Sequence, residues 1–272
     1  MTDLLTETAY AKINLALHVR ARRPDGYHEL ETLFAFAEHG DRIDGREADD
    51  ISLTISGPLA GSLGPDTDNL VLRAAHALKA ATGTAWGAAL HLVKHLPVAA
   101  GLGGGSADAA AALRLLARLW RIDADAPEIM QVAQALGADV PACVLSQTCF
   151  GHGRGDALVP FDDATLSGTP LLLANPGIAL ATGPVFVGWD QRDRGPLIPA
   201  EWRAGRNDLT ASASAIVPEI SGLLTLLEAQ VGANFVRMSG SGASCFALFD
   251  SPEARDSAAG TIPFWHMASR IR

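Results

Sequence analysis

Between Pro97 and Arg114 the chain reads Pro-Val-Ala-Ala-Gly-Leu-Gly-Gly-Gly-Ser-Ala-Asp-Ala-Ala-Ala-Ala-Leu-Arg, and no other stretch restricts fold and chemistry so tightly. Gly101, Gly103, Gly104 and Gly105 lack a Cβ and tolerate positive φ, so a ligand can come close to their backbone. Ser106 is a good helix N-cap, and the alanine-rich run after it favours a helix. A helix that starts this way presents first-turn amides with no intrahelical acceptor, and its dipole adds positive potential there. These are the makings of a phosphate cradle. A Walker A loop would need Gly-Lys-Ser/Thr, which Gly105-Ser106-Ala107 lacks. A dinucleotide fingerprint would need a third glycine where Ser106 stands and an acid about 20 residues on at a strand end. Asp123 and Asp125 are near that spacing but lie in a polar turn. A tight turn that merely packs helix on sheet is the remaining alternative, and the glycine run ahead of a capping serine favours the cradle.

A chain of 272 residues is long enough for one large domain or two small ones, and a net charge of −9 speaks against a nucleic-acid or anionic-membrane surface. The opening Met-Thr-Asp-Leu-Leu-Thr-Glu has neither a basic n-region nor an apolar h-region, so no signal peptide is expected. No apolar run approaches the roughly 18 residues of a membrane span. Cys143, Cys149 and Cys245 are odd in number and lack CxxC spacing, which predicts reduced thiols, a cytoplasmic protein and no zinc site. His91 and His95 stand four apart, but their segment reads as a strand and metal ligation is not expected there.

Residues 9–19 alternate: Ala11, Ile13, Leu15, Leu17 and Val19 make an apolar face, with Tyr10, Lys12, Asn14 and His18 opposite. A turn at Pro24-Asp25-Gly26 leads to a second strand over Leu30–Phe36, and 51–56 is a third. The pattern predicts a helix over 70–81, a strand over 89–96, a helix from Ser106 and another over 128–136 ending at Gly137. In the helix from Ser106, Leu113, Leu116 and Trp120 share one face and Arg114, Arg118 and Arg121 another. The Gly- and Asp-rich stretch 151–168 breaks the periodicity and is the expected domain boundary. Beyond it come a strand at 171–174, a helix over 216–230, strands at 234–238 and 244–249 joined by Ser239-Gly-Ser-Gly242, a helix near 252–259 and a last strand near 265–269. This order predicts an α+β fold, not a doubly wound parallel sheet.

A phosphate cradle needs an activated nucleophile beside it to become an enzyme. Lys12 and Asn14 point the same way from the first strand, although a lone strand lysine is more often solvated. Asp139, in Gly137-Ala-Asp-Val-Pro141, is a possible base, although Asp before Val-Pro is also a common helix cap. Together, Ala11-Lys12-Ile-Asn14, the Pro97–Ser106 loop and Gly137-Ala-Asp139-Val-Pro141 resemble the GHMP kinase superfamily. Arg23-Pro-Asp-Gly-Tyr-His-Glu-Leu30, Asn175-Pro-Gly177 and Met238-Ser-Gly-Ser-Gly-Ala243 narrow the resemblance to members that act on a cytidine diphosphate ester. The matching segments run from about residue 9 to about residue 249, nearly the full length.

The resemblance implies ATP-dependent phosphorylation of a hydroxyl on the methylerythritol part of such an ester, in the non-mevalonate route to isoprenoids. It implies an S5-like N-terminal domain over residues 1–158 and a ferredoxin-like domain over 159–272. By the same carry-over, Asp139 is the catalytic base and Lys12 its partner lysine. The ATP site comprises Pro97, Val98, Ala99, Ala100, Gly101, Leu102, Gly103, Gly104, Gly105, Ser106 and Ala107, with Asn69 and Lys94 around the adenosine. Asn14, Tyr27, His28, Thr182 and Phe186 contact the cytidine substrate. Ala107 stands where relatives have a second serine, and Ala181 and Gly183 flank Thr182 where some have prolines. Asp108 reads as an acid that compensates the helix dipole, with reach to a metal as the alternative. No acid is dedicated to Mg²⁺, so the ion is expected to ride on the nucleotide phosphates. Another GHMP kinase acting on homoserine, mevalonate or a sugar is the nearest competing reading, opposed by Asp25-Gly-Tyr-His28. A nucleotide-sensing or RNA-binding S5-like module is opposed by the acidic balance.

Overall fold

The alternating segment at 9–19 lies within a longer strand, β1 (Leu5–Arg22), and both of its faces are covered. The structure is a computed structural model that describes residues 4–62 and 69–272; residues 1–3 of the segment read for a signal peptide lie outside it. The apolar face is buried as expected, and so are Lys12, Asn14 and His18 opposite, at 3%, 2% and 2% exposure. The solvated-lysine alternative is thereby excluded. The turn at 24–26, with Gly26 at φ 87°, opens into β2 (His28–Ala48), far longer than the expected Leu30–Phe36. Glu38-His-Gly-Asp-Arg42 reads as a polar break in sequence, yet the strand runs straight through it.

The chain divides into two compact units interleaved in sequence, Met1–Ala11, His39–Val98 and Gly103–Ser146 in one and Lys12–Glu38, Ala99–Leu102 and Gln147–Arg272 in the other. The strands β1 and β2 and the glycine stretch contribute residues to both.

In the first unit β3 (Ile51–Ser56) pairs parallel with β4 (Gly87–Val93), from Ile51 opposite Ala88 to Ser56 opposite Val93. β4 pairs antiparallel with residues 42–48 of β2. It is shorter than the predicted 89–96 because the chain leaves the ladder at Lys94. Among the described residues of this unit, helix α1 (Leu70–Thr82) lies between β3 and β4, and α2 (Gly104–Leu119), α3 (Pro127–Leu136) and α4 (Val140–Leu145) follow β4. α1, α3 and α4 all pack on α2. Residues 107–113 of α2 are buried on every side, so its apolar surface is wider than the one-face stripe expected. Alanine makes this possible, because its short side chain lets neighbouring helices close in all round.

In the second unit residues 30–34 of β2 pair with β5 (Cys149–Gly153), which turns back through β6 (Ala157–Pro160). This hairpin occupies the stretch read as a break in periodicity: its strands are short and its turn holds Gly153 and Gly155 at positive φ. The expected division at 158/159 falls on β6. A four-stranded antiparallel sheet follows, from β7 (Pro170–Asn175), β8 (Ala233–Met238), β9 (Cys245–Phe249) and β10 (Trp265–Arg270), in the order β10-β7-β9-β8. α5 (Thr182–Val187), α6 (Thr210–Ile216) and α7 (Glu219–Glu228) come between β7 and β8, and α8 (Pro252–Ala259) between β9 and β10. That is the split β-α-β arrangement of a ferredoxin-like domain. Leu172, Val185, Leu209, Ile220, Leu223 and Phe249 anchor its core, each worth about 1.5–3 kcal/mol by burial. The helix expected over 216–230 is α7, which begins only at Glu219, after Pro218; α6, just before it, was not expected.

Candidate active site

Helix α2 starts at Gly104, two residues before the expected start, and Ser106 is not its N-cap. Gly103 caps it in the left-handed region, φ 63°, and turns the chain into the helix without help from a side chain. Ala107 N–H is bonded to the Gly103 carbonyl at 2.7 Å, so the amides of Gly104, Gly105 and Ser106 belong to the first turn, where the helix offers no acceptor. A Cβ at Gly104 would meet only ordinary contacts, the nearest being Lys94 Nζ at 3.6 Å. Gly101 is glycine for another reason. At φ 75°, a Cβ there would lie 2.3 Å from the Ser239 carbonyl oxygen, so this glycine serves packing against the Ser239–Gly242 loop. Residues 99–102 are stitched down by Leu180 N–H to Ala99 O, Ser244 N–H to Ala100 O, Ser239 Oγ to Gly101 O and Lys12 N–H to Leu102 O. Pro97 and Val98 enter the loop half-buried.

Beneath the α2 N-terminus lies an ionic cluster only partly legible in sequence. Lys94, just past β4, donates to Asp41 Oδ2 and to Asp108 Oδ2, the latter at 2.6 Å. All three side chains are buried. Asp108, expected as a dipole-compensating acid, is thus a buried partner of Lys94. Asp41 Oδ1 also accepts the backbone N–H of His95 and of Leu96, which pins the entrance to the glycine loop. Burial works against the charge on Lys94, but Asp108 and Asp41 outweigh it and hold its pKa above the usual value. Burial pushes the Asp108 carboxyl up to about 7 against the pull of Lys94, with Asp41 adding to the rise. Asn69 caps α1, its Oδ1 accepting Val71 N–H at 2.8 Å.

Lys12 donates to Asn14 Oδ1 at 2.9 Å and sits 5.4 Å from the centroid of the Phe34 ring. Asn14 Nδ2 donates to Thr32 Oγ1, which donates in turn to Ala16 O. Asn14 thus orients the ammonium, and Thr32, which carried no signal in sequence, orients Asn14. Asp139 occupies the N-cap position of α4 with a helical backbone and no side-chain bond to the helix amides. The capping alternative is not realised. α4 packs on α2, the helix that carries the glycine loop.

On the second unit His28, the first residue of β2, packs its ring 4.7 Å from Phe186 of α5, tilted by 34°. Trp189 closes the other side edge-on at 5.8 Å, a residue that carried no signal in sequence. Its Nε1–H is buried without a partner among the described residues. Burial, then Arg22, lowers the His28 pKa, which keeps the ring neutral at pH 7. Tyr27 is exposed, with Arg154 over its ring at 5.1 Å, and Thr182 bonds Ser241 through their hydroxyls at 3.0 Å. His91 is bonded to Ser56 Oγ at 2.8 Å, and the described residues contain no cluster of three metal-ligating side chains. The three cysteines are buried and form no disulfide, and burial pushes the Cys149 and Cys245 thiols up to about 12.

Residues 69–147 match the family model for the GHMP kinases N-terminal domain, and residues 190–263 match that for the GHMP kinases C-terminal domain. A protein of Rhizorhabdus wittichii named 4-diphosphocytidyl-2-C-methyl-D-erythritol kinase is 56% identical over 98% of this chain and 94% of its own length. One of the same name from Novosphingobium aromaticivorans is 52% identical over 98% and 93%. A crystal structure titled 4-(cytidine 5'-diphospho)-2C-methyl-D-erythritol kinase superposes with a TM-score of 0.85 at 33% identity, covering 98% of this chain and 99% of that one. With a glycine loop on a helix N-terminus, a ferredoxin-like sheet and near full-length identity of this order, the chain belongs to the GHMP kinase family, among its 4-diphosphocytidyl-2-C-methyl-D-erythritol kinases.

Proposed function

We propose that this chain transfers the γ-phosphoryl group of ATP to a hydroxyl of 4-diphosphocytidyl-2-C-methyl-D-erythritol, giving the 2-phosphate and ADP, in the cytoplasmic non-mevalonate supply of isoprenoid precursors. The 56% identity over 98% of the chain to a protein of that name carries this reading. Backbone amides of Gly103 to Ser106 hold the ATP phosphates, with Pro97 to Leu102 and Ala107 shaping the loop and Asn69 and Lys94 near the adenosine. Mg²⁺ arrives on the phosphates and neutralises their charge. Asp139 takes the proton of the attacking hydroxyl, and Lys12 stabilises the charge that develops in transfer. His28, Phe186 and Tyr27 hold the cytosine ring by stacking and by hydrogen bonds to its edge, while Asn14 and Thr182 bond the rest of the substrate. In this reading residues 1–158 carry the nucleotide chemistry and 159–272 the ferredoxin-like support.

A coupled ADP-release assay tests the proposal with the cytidylyl substrate beside homoserine, mevalonate and a sugar acceptor. Turnover confined to the cytidylyl ester is expected. Preferential turnover of another acceptor overturns it.

A further inference from the structure

The Asp41–Lys94–Asp108 cluster holds two carboxylates against one ammonium, and the two acids are served unequally. Asp41 receives Lys94 Nζ and two backbone N–H groups, so both its oxygens are satisfied. Asp108 receives Lys94 through Oδ2, and among the described residues its buried Oδ1 has no hydrogen-bond partner. A buried carboxylate with a bare oxygen is costly to keep ionised, whereas one with three donors is not. Were both acids charged, the cluster would carry one net negative charge close below the amides of Gly104 to Ser106. That charge would oppose a polyphosphate at the same amides, with little water between to screen it.

We propose that Asp108 is the neutral member of this triad, protonated from solvent on Oδ1, and that ATP settles on the α2 amides only with that proton in place, so that nucleotide binding above neutral pH takes up one proton here. The carboxyl already titrates near neutrality. Lys94 and Asp41 are the charges that act on it most strongly. Other ionisable side chains on the adjoining segments are His95 at the loop entrance, Arg73, His76 and Lys79 of α1, Glu128 of α3, Asp139 and Cys143 at α4, and Arg114 and Arg118 of α2 itself. Arg114 and Arg118 are bonded to Glu7, and Arg73 and His76 line the groove shared with Val132 and Leu136. Asp108 is thus a positioning residue that acts through the loop; it does not touch the phosphates.

The inference rests on the loop being the ATP phosphate site, and the test separates the two. Calorimetric titration with ATP and Mg²⁺, in buffers of different ionisation enthalpy from pH 7 to 9, compares wild type, Asp108→Asn and Gly104→Val. With binding confined to the protonated form, wild-type affinity should fall by up to about tenfold per pH unit above the carboxyl's own pKa. Asn mimics the neutral acid, so Asp108→Asn is expected to lose the slope, to take up less proton than wild type and to bind ATP more tightly than wild type at pH 9. ATP's own ionisation cancels between the two. The same slope in both proteins, or a uniform weakening in Asp108→Asn at every pH, overturns the proposal. Unchanged affinity in folded Gly104→Val overturns the loop reading instead. Infrared difference spectra of wild type at pH 8 give a check free of mutation: a carboxylic-acid C=O band should grow when ATP is added, and its absence also overturns the proposal.

Discussion

Two lysines are buried in this protein to nearly the same degree, one in each compact unit, and they are held in opposite ways. Lys94 is clamped between the carboxyl groups of Asp41 and Asp108, which offset its charge and tie three chain segments together. Lys12 donates to the amide oxygen of Asn14, which helps fix where the ammonium points. Burial alone therefore does not say what a lysine is for. The ammonium set between Asp41 and Asp108 joins parts of the fold, whereas the one that Asn14 directs is the one the proposed reaction uses.

Asp139→Asn bounds the catalytic side of this contrast and carries the largest expected effect. General-base assistance is worth about 10²–10⁴-fold, so kcat should fall by that order in single-turnover assays. Asp139 makes no capping bond to α4, so a fall in kcat that outruns any loss of melting temperature could not be a capping effect. A variant with near wild-type kcat would remove Asp139 from the chemistry.

Lys94→Met should do the reverse of Lys12→Met. Removing one member of a buried ion pair strands the others and costs about 3–5 kcal/mol, which urea unfolding would report directly. Lys12→Met leaves Asn14 still bonded to Thr32 and should lose less stability than Lys94→Met. Its loss belongs in kcat, about 10²–10³-fold, the scale of removing one fixed electrostatic stabiliser. If both variants lose stability alike and neither loses kcat beyond its unfolded fraction, the contrast collapses.

Sequence made one half of this comparison legible and hid the other. Lys12 and Asn14 share a strand face two residues apart, so period-two reading puts them together at once. The Lys94 cluster joins residues 53 and 14 positions apart, and Asp41 stands in a polar run that looks like the end of a strand. Nothing local marks it as buried; only the path of β2 does. The helix start was misplaced for a similar reason, since Ser106 is the better capping side chain but Gly103 makes the turn by backbone geometry. Likewise the short hairpin β5–β6 gains its order from β2 alongside, which no window on 151–168 contains. The β8–β9 hairpin, with Ser239-Gly-Ser-Gly242 at its turn, was plain because both strands are apolar and adjacent.

The smallest effects expected are at His28, and they test whether the second unit reads a base. His28→Ala removes a ring packed against Phe186, and stacking of this kind is worth about 1–3 kcal/mol, so KM for the cytidylyl substrate should rise about tenfold or more. KM for ATP should hold steady, which a general loss of structure would not allow. The pH dependence follows from the same ring. Its pKa in the folded protein lies below the usual 6.5, because burial and then Arg22 disfavour the imidazolium. Folding thus favours the neutral ring: that contribution is fully present above pH 6.5 and fades as pH falls through the lowered value. Neutral His28 offers one donor and one acceptor to the edge of cytosine, whereas imidazolium offers donors alone. KM for the cytidylyl substrate should therefore stay flat from pH 8 down to 6.5 and climb only below that. Steady-state titration over that range decides it, and a rise already under way between pH 8 and 7 would mean that another group, not His28, meets the base.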